Sequence, residues 1–336
     1  MKNPTSQMSK TSKIIAILFS ALALSCATRA HDMTKNLLEG NEAALKGDYQ
    51  AAVSHYESAL KAVPDSAAAK RNLGIVMVKV GNYKRAKVLL AEALLIYNKD
   101  IEVYYFLGES MRGLEEFQSA AAQYQKALRL DPNDLRIVKA LSWAWYKMGF
   151  FERTLAATGP LLQNTPEDLQ LRLIVGSALN RQKKFKESIE VLSYIEKPGF
   201  KIQSGDRITA DSERALILTA LAESYSGIEN CTKAIQIFNG VLNTRPFLAS
   251  ALTGAAKCEL KQNSTGRALA KLERATKADS TTKEANMLLG KIYEKSDSVK
   301  AVYYYRRFLL LTKDNPEFAS DAQTVKATLA KLEKKM

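Results

Sequence analysis

Between Ile101 and Asp134 apolar residues recur at steps of three and four in two successive runs. Tyr104, Leu107, Gly108 and Met111 fall on one helical face, and Phe117, Ala120, Tyr124, Ala127 and Leu128 fall on another. The pattern predicts two amphipathic helices joined by a short turn. Pro132 has no backbone N–H and disfavours a helical residue before it, so the second helix ends there. Each helix has one apolar face and cannot bury it alone. Such a pair needs neighbours of the same kind.

The neighbours recur every 34 residues: Gly40, Gly74 and Gly108 repeat at one position, and Ala52, Ala86 and Ala120 at another. A third series is Ala59, Ala93 and Ala127, and an aromatic series is Tyr49, Tyr83 and Phe117. Pro64 and Pro132 close the first and third units, with Asn98 between them. Small residues stand where two helices must approach closely, and large ones fill the space beside them. This resembles the tetratricopeptide repeat, a helix–turn–helix unit of about 34 residues. The resemblance implies an all-α, right-handed superhelical solenoid of about eight repeats plus a C-terminal capping helix.

Repeats one to five are expected over 33–195 and repeats six to eight over 215–316. In the fourth repeat Ser142 and Thr154 replace the small pair, which predicts a slight splay of its two helices. A Gly- and Ser-rich charged stretch is expected to form a loop insertion over 196–214 and to divide the array there. Residues 317–336 read as a single amphipathic capping helix.

The N-terminus is built differently. Lys2, Lys10 and Lys13 precede an apolar run from Ile14 to Leu24, too short to span a bilayer. Residues 1–25 read as a secretory signal. The run ends Ala23-Leu24-Ser25-Cys26, which resembles the lipobox of bacterial lipoproteins, although leucine there usually stands three before the cysteine. The resemblance implies diacylation of Cys26, a tether over 26–32, and an outer-membrane protein facing the periplasm. The rival reading is cleavage after Ala27, which releases a soluble periplasmic protein.

The net charge of +14 suggests nucleic acid at first sight, but an exported chain meets anionic lipid or acidic proteins instead. Beyond the signal, Cys231 and Cys258 are expected as small buried helix residues rather than a disulfide. His31 and His55 are scattered, and no phosphate loop, paired-cysteine metal spacing or nucleophile turn is present in the sequence. No catalytic activity, metal or cofactor is expected.

The family resemblance places binding on the first helix of each repeat. Those positions hold Arg71, Asn72, Tyr105, Arg112, Lys139, Trp143, Tyr146, Lys147 and Arg181. Arginine forks suit carboxylates, and rings of this size anchor interfaces, so an acidic protein or peptide partner is expected. The chaperone-tail clamp of some family members is not made. Asn41 and Asn72 match its asparagines, but Leu37, Glu102 and Phe106 occupy its cation positions. The overall expectation is a lipid-anchored envelope scaffold, similar to the tetratricopeptide lipoproteins that assemble type IV pilus secretins. Adaptors of peptidoglycan hydrolases or synthases share the same architecture.

Overall fold

The computed structural model describes residues 10–196, 207–313, 315 and 318–334, side chains of 10–26 and 207–210 excepted. Every regular element among these residues is helical. They form two compact units, residues 1–150 and 151–336.

The first unit contains α1 (Lys10–Leu45), α2 (Tyr49–Ala62), α3 (Ala67–Lys79), α4 (Tyr83–Ala93), α5 (Ile101–Gly113), α6 (Phe117–Leu130) and α7 (Leu135–Lys147). Each helix packs on the next, and α1, α3, α5 and α7 also lie side by side. Side-chain caps start most of them. Asp48, Ser66, Asn82, Asp100 and Asp134 each accept from a backbone N–H in the first turn that follows. The small–large pairing is direct. A Cβ on Gly108 would stand 2.5 Å from the Tyr124 ring, and one on Gly40 would stand 2.6 Å from Tyr56. The three alanines at 52, 86 and 120 are fully buried.

The second unit contains α8 (Phe151–Asn164), α9 (Leu169–Arg181), α10 (Phe185–Leu192) with a 3-10 turn Ser193–Glu196, and α11 (Arg207–Gly227). It continues with α12 (Cys231–Thr244), α13 (Ala249–Lys261), α14 (Thr265–Ala278), α15 (Lys283–Tyr293), α16 (Ser298–Leu311) and α17 (Ala319–Glu333). Gly176, Gly254 and Gly290 lie against Leu192, Phe238 and Tyr305 in the same way. α17 packs on α16, with Val325 buried against Tyr305 and Phe308. Cys231 and Cys258 are buried and form no disulfide, and burial pushes the Cys258 thiol up to about 11.

The turns inside the helix pairs repeat the period in backbone form. Positive φ occurs at residues 47, 81, 115, 149, 183, 229 and 263. The steps are one period each, except between 183 and 229, where the chain carries its insertion. Three of these positions are glycine, but Glu115, Lys183, Glu229 and Asn263 adopt the same left-handed conformation.

Residues 26–32, the expected tether, run inside α1, which is unbroken from Lys10 to Leu45 because no glycine or proline interrupts it before Gly40. Two expectations need correction. Residues 207–214 are not loop but the first turns of α11. Ser212 accepts from Arg245, just past the end of α12, and Glu213 accepts from Gln170 of α9 at 2.9 Å, which fastens those turns to the unit. Nor does the loop divide the array. α11 packs on both α9 and α10, sharing a core of Leu192, Ile195, Ile217 and Leu221, and the division falls after Phe150. That point lies inside the fourth repeat. Residues 197–206, the middle of the expected loop, lie outside the described residues, as do residues 1–9 of the expected signal.

Candidate functional site

The adjacent first helices of the N-terminal unit carry a connected row of polar and aromatic side chains. At its start, Tyr56 Oη and Asn72 Nδ2 both donate to Asn41 Oδ1, at 2.8 and 2.9 Å. Arg71 donates from Nη1 to Asn72 and from Nε to Asp100, the latter at 2.7 Å. Asp100 is the cap of α5, so this ion pair ties the face of α3 to the start of the next repeat. Burial opposes the charge on Asp100, but hydrogen bonds from Arg71 and the Val103 N–H outweigh it and hold the carboxyl below its usual range.

On α5 and α7 the row continues through Glu109 and Arg136. Arg112 makes two hydrogen bonds to Glu109, at 2.5 and 3.1 Å, and Tyr124 Oη donates to the same carboxylate at 2.6 Å. Arg136 forks onto Glu102 at 2.5 and 3.1 Å and lies 4.2 Å over the Tyr105 ring. Burial, then the Glu109 charge, pushes the Tyr105 hydroxyl up to about 12. Further along α7, Trp143 and Tyr146 stack at 5.1 Å between centroids, with Lys147 Nζ 5.4 Å over the indole.

This arrangement revises the expected chemistry. Arg71 and Arg112 are not bare forks, since each is already paired to a carboxylate of this chain. Trp143 and Tyr146 are half-buried against each other rather than fully exposed, and Tyr105 is half-buried under Arg136. Lys139 is half-buried on α7, while Lys147 is exposed. Arg181 belongs to the second unit, where it lies 5.5 Å over the Phe151 ring. Sequence reasoning passed over Asp100, which holds Arg71, and matched Asn41 only to an asparagine of the chaperone-tail clamp; Glu109 was legible as a first-helix position but not as the partner of Arg112 and Tyr124. One signal was available. Glu102 and Arg136 occupy the same repeat position one period apart with opposite charge.

The first helices of the second unit are mixed in sign. Lys257 Nζ sits 3.1 Å from Glu284, and Lys261 donates to the Ser226 carbonyl at 3.3 Å. Glu223 reaches solvent within a recess of about 280 Å³ beside Lys257 and Glu284. Desolvation first, and the Glu284 charge second, hold its carboxyl up to about 7. Its contact with solvent works against that rise. Among the described residues no cluster of three or more His, Cys, Asp or Glu forms a metal-ligand set.

A ladder of helix pairs presenting rings and paired charges on neighbouring first helices defines a helical-repeat scaffold for protein–protein interaction. The chain carries tetratricopeptide repeats: models of that family match residues 43–109, 101–134 and 253–317. It is similar to the mouse Tetratricopeptide repeat protein 12, 29% identical over 94 residues that are 28% of this chain and 13% of that one. It is also similar to the bovine BBSome complex member BBS4, 22% identical over 182 residues, 53% of this chain and 34% of that one. The chain thus spans about a third or less of the length of the curated relatives it matches. A crystal structure of a tetratricopeptide repeat protein from Parabacteroides merdae superposes with a TM-score of 0.63 at 16% identity, covering 78% of this chain and 98% of that one. That likeness shows the fold. Folds of this kind are typically non-catalytic scaffolds.

Proposed function

We propose that the chain is a scaffold of the bacterial envelope, lipid-anchored through Cys26, which holds a segment of a partner protein on the first-helix faces of its N-terminal unit. The observation that carries the binding site is the half-open aromatic row of Tyr105, Trp143 and Tyr146 on the adjacent helices α5 and α7. Because the nearby arginines are paired internally, the rings set residence. Charge from Lys79, Lys139 and Lys147 sets encounter with an acidic segment. The anchor rests on the sequence before Cys26, and the periplasmic face of the outer membrane follows from it. With the alternative cleavage after Ala27, the same scaffold works as a soluble periplasmic protein.

A photo-crosslinker placed at Trp143 in intact envelopes captures the partner directly. Trp143→Ala then weakens that complex by about 2 kcal/mol or more, mainly through faster dissociation, with helicity unchanged. Wild-type affinity in a folded variant removes this face as the site. Cys26→Ala tests the anchor by moving the protein to the soluble periplasmic fraction; a variant still in the membrane removes it. Deletion distinguishes the machine served. An unassembled outer-membrane secretin supports a type IV pilus or secretion assembly factor, whereas altered cell shape or septation supports an adaptor of peptidoglycan hydrolases or synthases.

A further inference from the structure

Helix α16 carries an outward stripe that the groove reading does not use. Val299, Tyr303, Arg306 and Leu310 are all exposed and follow steps of four, three and four, so they line one face of the helix. Its three apolar and aromatic members are unusually open: Val299 is 65% exposed, Tyr303 53% and Leu310 75%. The stripe runs about 16 Å along the helix. With Val302, Arg307 and Glu333 it walls a shallow trough of about 840 Å³. The opposite face of α16 is already spent, because Tyr305 and Phe308 are buried beneath α17.

The cations around the stripe are held by neutral groups or by exposed ion pairs, which are weak in water. Arg307 donates to the Ser280 carbonyl at 2.8 Å and to the Tyr303 hydroxyl at 3.2 Å; both partners are neutral, and among the described residues it has no carboxylate partner. Arg306 shares Glu333 in an exposed pair, which is worth little in water. Lys295 and Lys313 are exposed just beyond the two ends of the helix, with Glu294 exposed beside Lys295, and Lys300 on its first turn makes an open pair with Asp297 at 3.8 Å. Apolar groups at the centre, a tyrosine hydroxyl at the rim and cations around them match the layering of a bilayer interface. A net charge of +11, which is the +14 of the whole sequence less Lys2, Lys10 and Lys13 of the signal, adds long-range attraction to an anionic surface.

We infer that the outer face of α16 is a second docking surface, which seats on an anionic lipid bilayer by inserting Val299, Tyr303 and Leu310 among the head groups while Arg306 and Arg307 contact the phosphates. The surface is charge-complementary to such a bilayer, and fluid lipid fills the trough without a shaped partner. Each basic residue near the surface contributes a modest, salt-sensitive share of the attraction. The contact needs no acyl chain on Cys26, and it leaves the aromatic row of the N-terminal unit available to a protein.

The test uses the full chain with Tyr303→Trp as a local reporter, floated with vesicles of phosphatidylcholine alone or with about 30 mol% phosphatidylglycerol. Emission of the introduced indole, read as the difference from the parent chain, shifts to the blue and is quenched by brominated acyl chains on the anionic vesicles only. Arg306→Glu with Arg307→Glu, and separately Leu310→Asp with Val299→Asp, each lower the anionic partition about tenfold or more. Val299, Arg306 and Leu310 are exposed and Arg307 is half-buried, and each variant is to keep the parental helicity by circular dichroism. Partition unchanged in both double variants, or reporter emission unmoved on vesicle-bound protein, overturns the proposal, and the second result assigns binding to another segment such as the apolar N-terminus. Loss of self-association in sedimentation equilibrium without loss of vesicle binding also overturns it, in favour of a second copy of the chain.

Discussion

At the scale of single residues, the turn inside each helix pair is a site where backbone geometry and side-chain choice disagree. Glu115 and Lys183 hold φ of 60°, a conformation that costs an L-residue about 1–2 kcal/mol and costs glycine little. Gly47, Gly81 and Gly149 show the relaxed solution at the same repeat position. Glu115→Gly and Lys183→Gly should each raise stability by about 0.5–1 kcal/mol in urea unfolding, after glycine's larger chain entropy is set against the relieved strain. A fall in both would mean that these side chains contribute more than their backbone costs. Asp100 and Asp134 make an opposite case, in which local chemistry agrees with the fold. For Asp134 as for Asp100, burial opposes ionisation, and hydrogen bonds from arginine and backbone N–H overcome it. Folded carboxyls below the unfolded value of about 3.9 contribute stability above pH 4 or so, and lose it as pH falls through the folded value. Thermal melts should therefore decline steeply below about pH 4, and Asp100→Asn should flatten that decline while lowering stability at neutral pH. Parallel pH curves for variant and parent would show that this pair contributes nothing to acid unfolding.

At the scale of elements, α8 is the helix whose sequence argues most against itself. Gly159 and Pro160 sit inside it, yet it runs unbroken from Phe151 to Asn164. Pro160 supplies no N–H to the Ala156 carbonyl one turn earlier, and an interior proline costs a helix about 3 kcal/mol. Packing overrides propensity here, since Thr154, Thr158 and Leu162 of the same helix are buried. Pro160 itself is exposed, so Pro160→Ala removes no core contact and should stabilise the second unit by about 1–3 kcal/mol. Amide exchange within α8 should slow in parallel. Unchanged exchange there would mean that the helix has already relaxed around the missing bond. The first turns of α11 show the same override in reverse, because a charged stretch reading as loop becomes helix once Ser212 and Glu213 find partners at the end of α12 and on α9.

At the scale of the molecule, each helix pair contacts its own neighbours in the chain, so a local fault should have local reach. Ala120 is fully buried where α5 and α6 lie closest, with Ala121 and Tyr124 around it. Ala120→Leu overpacks a site without room, at a cost of about 1–3 kcal/mol. Hydrogen exchange should quicken in α4 to α7 and hold its parental rates in the helices of the second unit. Uniform quickening along the chain would contradict a stack coupled only between neighbours. The same locality lets a binding row on α3 to α7 and a stripe on α16 be altered separately, which is what the vesicle and crosslinking experiments require.

The period of 34 residues and the small–large alternation were legible in the sequence, because each is a local requirement of a helix pair that must be met again in every copy. The candidate face was legible too, as far as position: Arg71, Asn72, Tyr105, Arg112, Lys139, Trp143, Tyr146 and Lys147 all come from α3, α5 and α7. Their chemistry was not. Whether Arg112 is a bare fork or a satisfied one depends on Glu109 three residues away and on Tyr124 from the next helix, and pattern alone does not rank such contacts. Arg71 needs Asp100, a residue 29 positions on that caps the first helix of the next pair. The division after Phe150, the helical start of α11 and the openness of the α16 stripe were decided by tertiary packing alone. Periodicity reports which face of a helix is apolar. Only the assembled helices determine which of those faces find a neighbour and which stay in water.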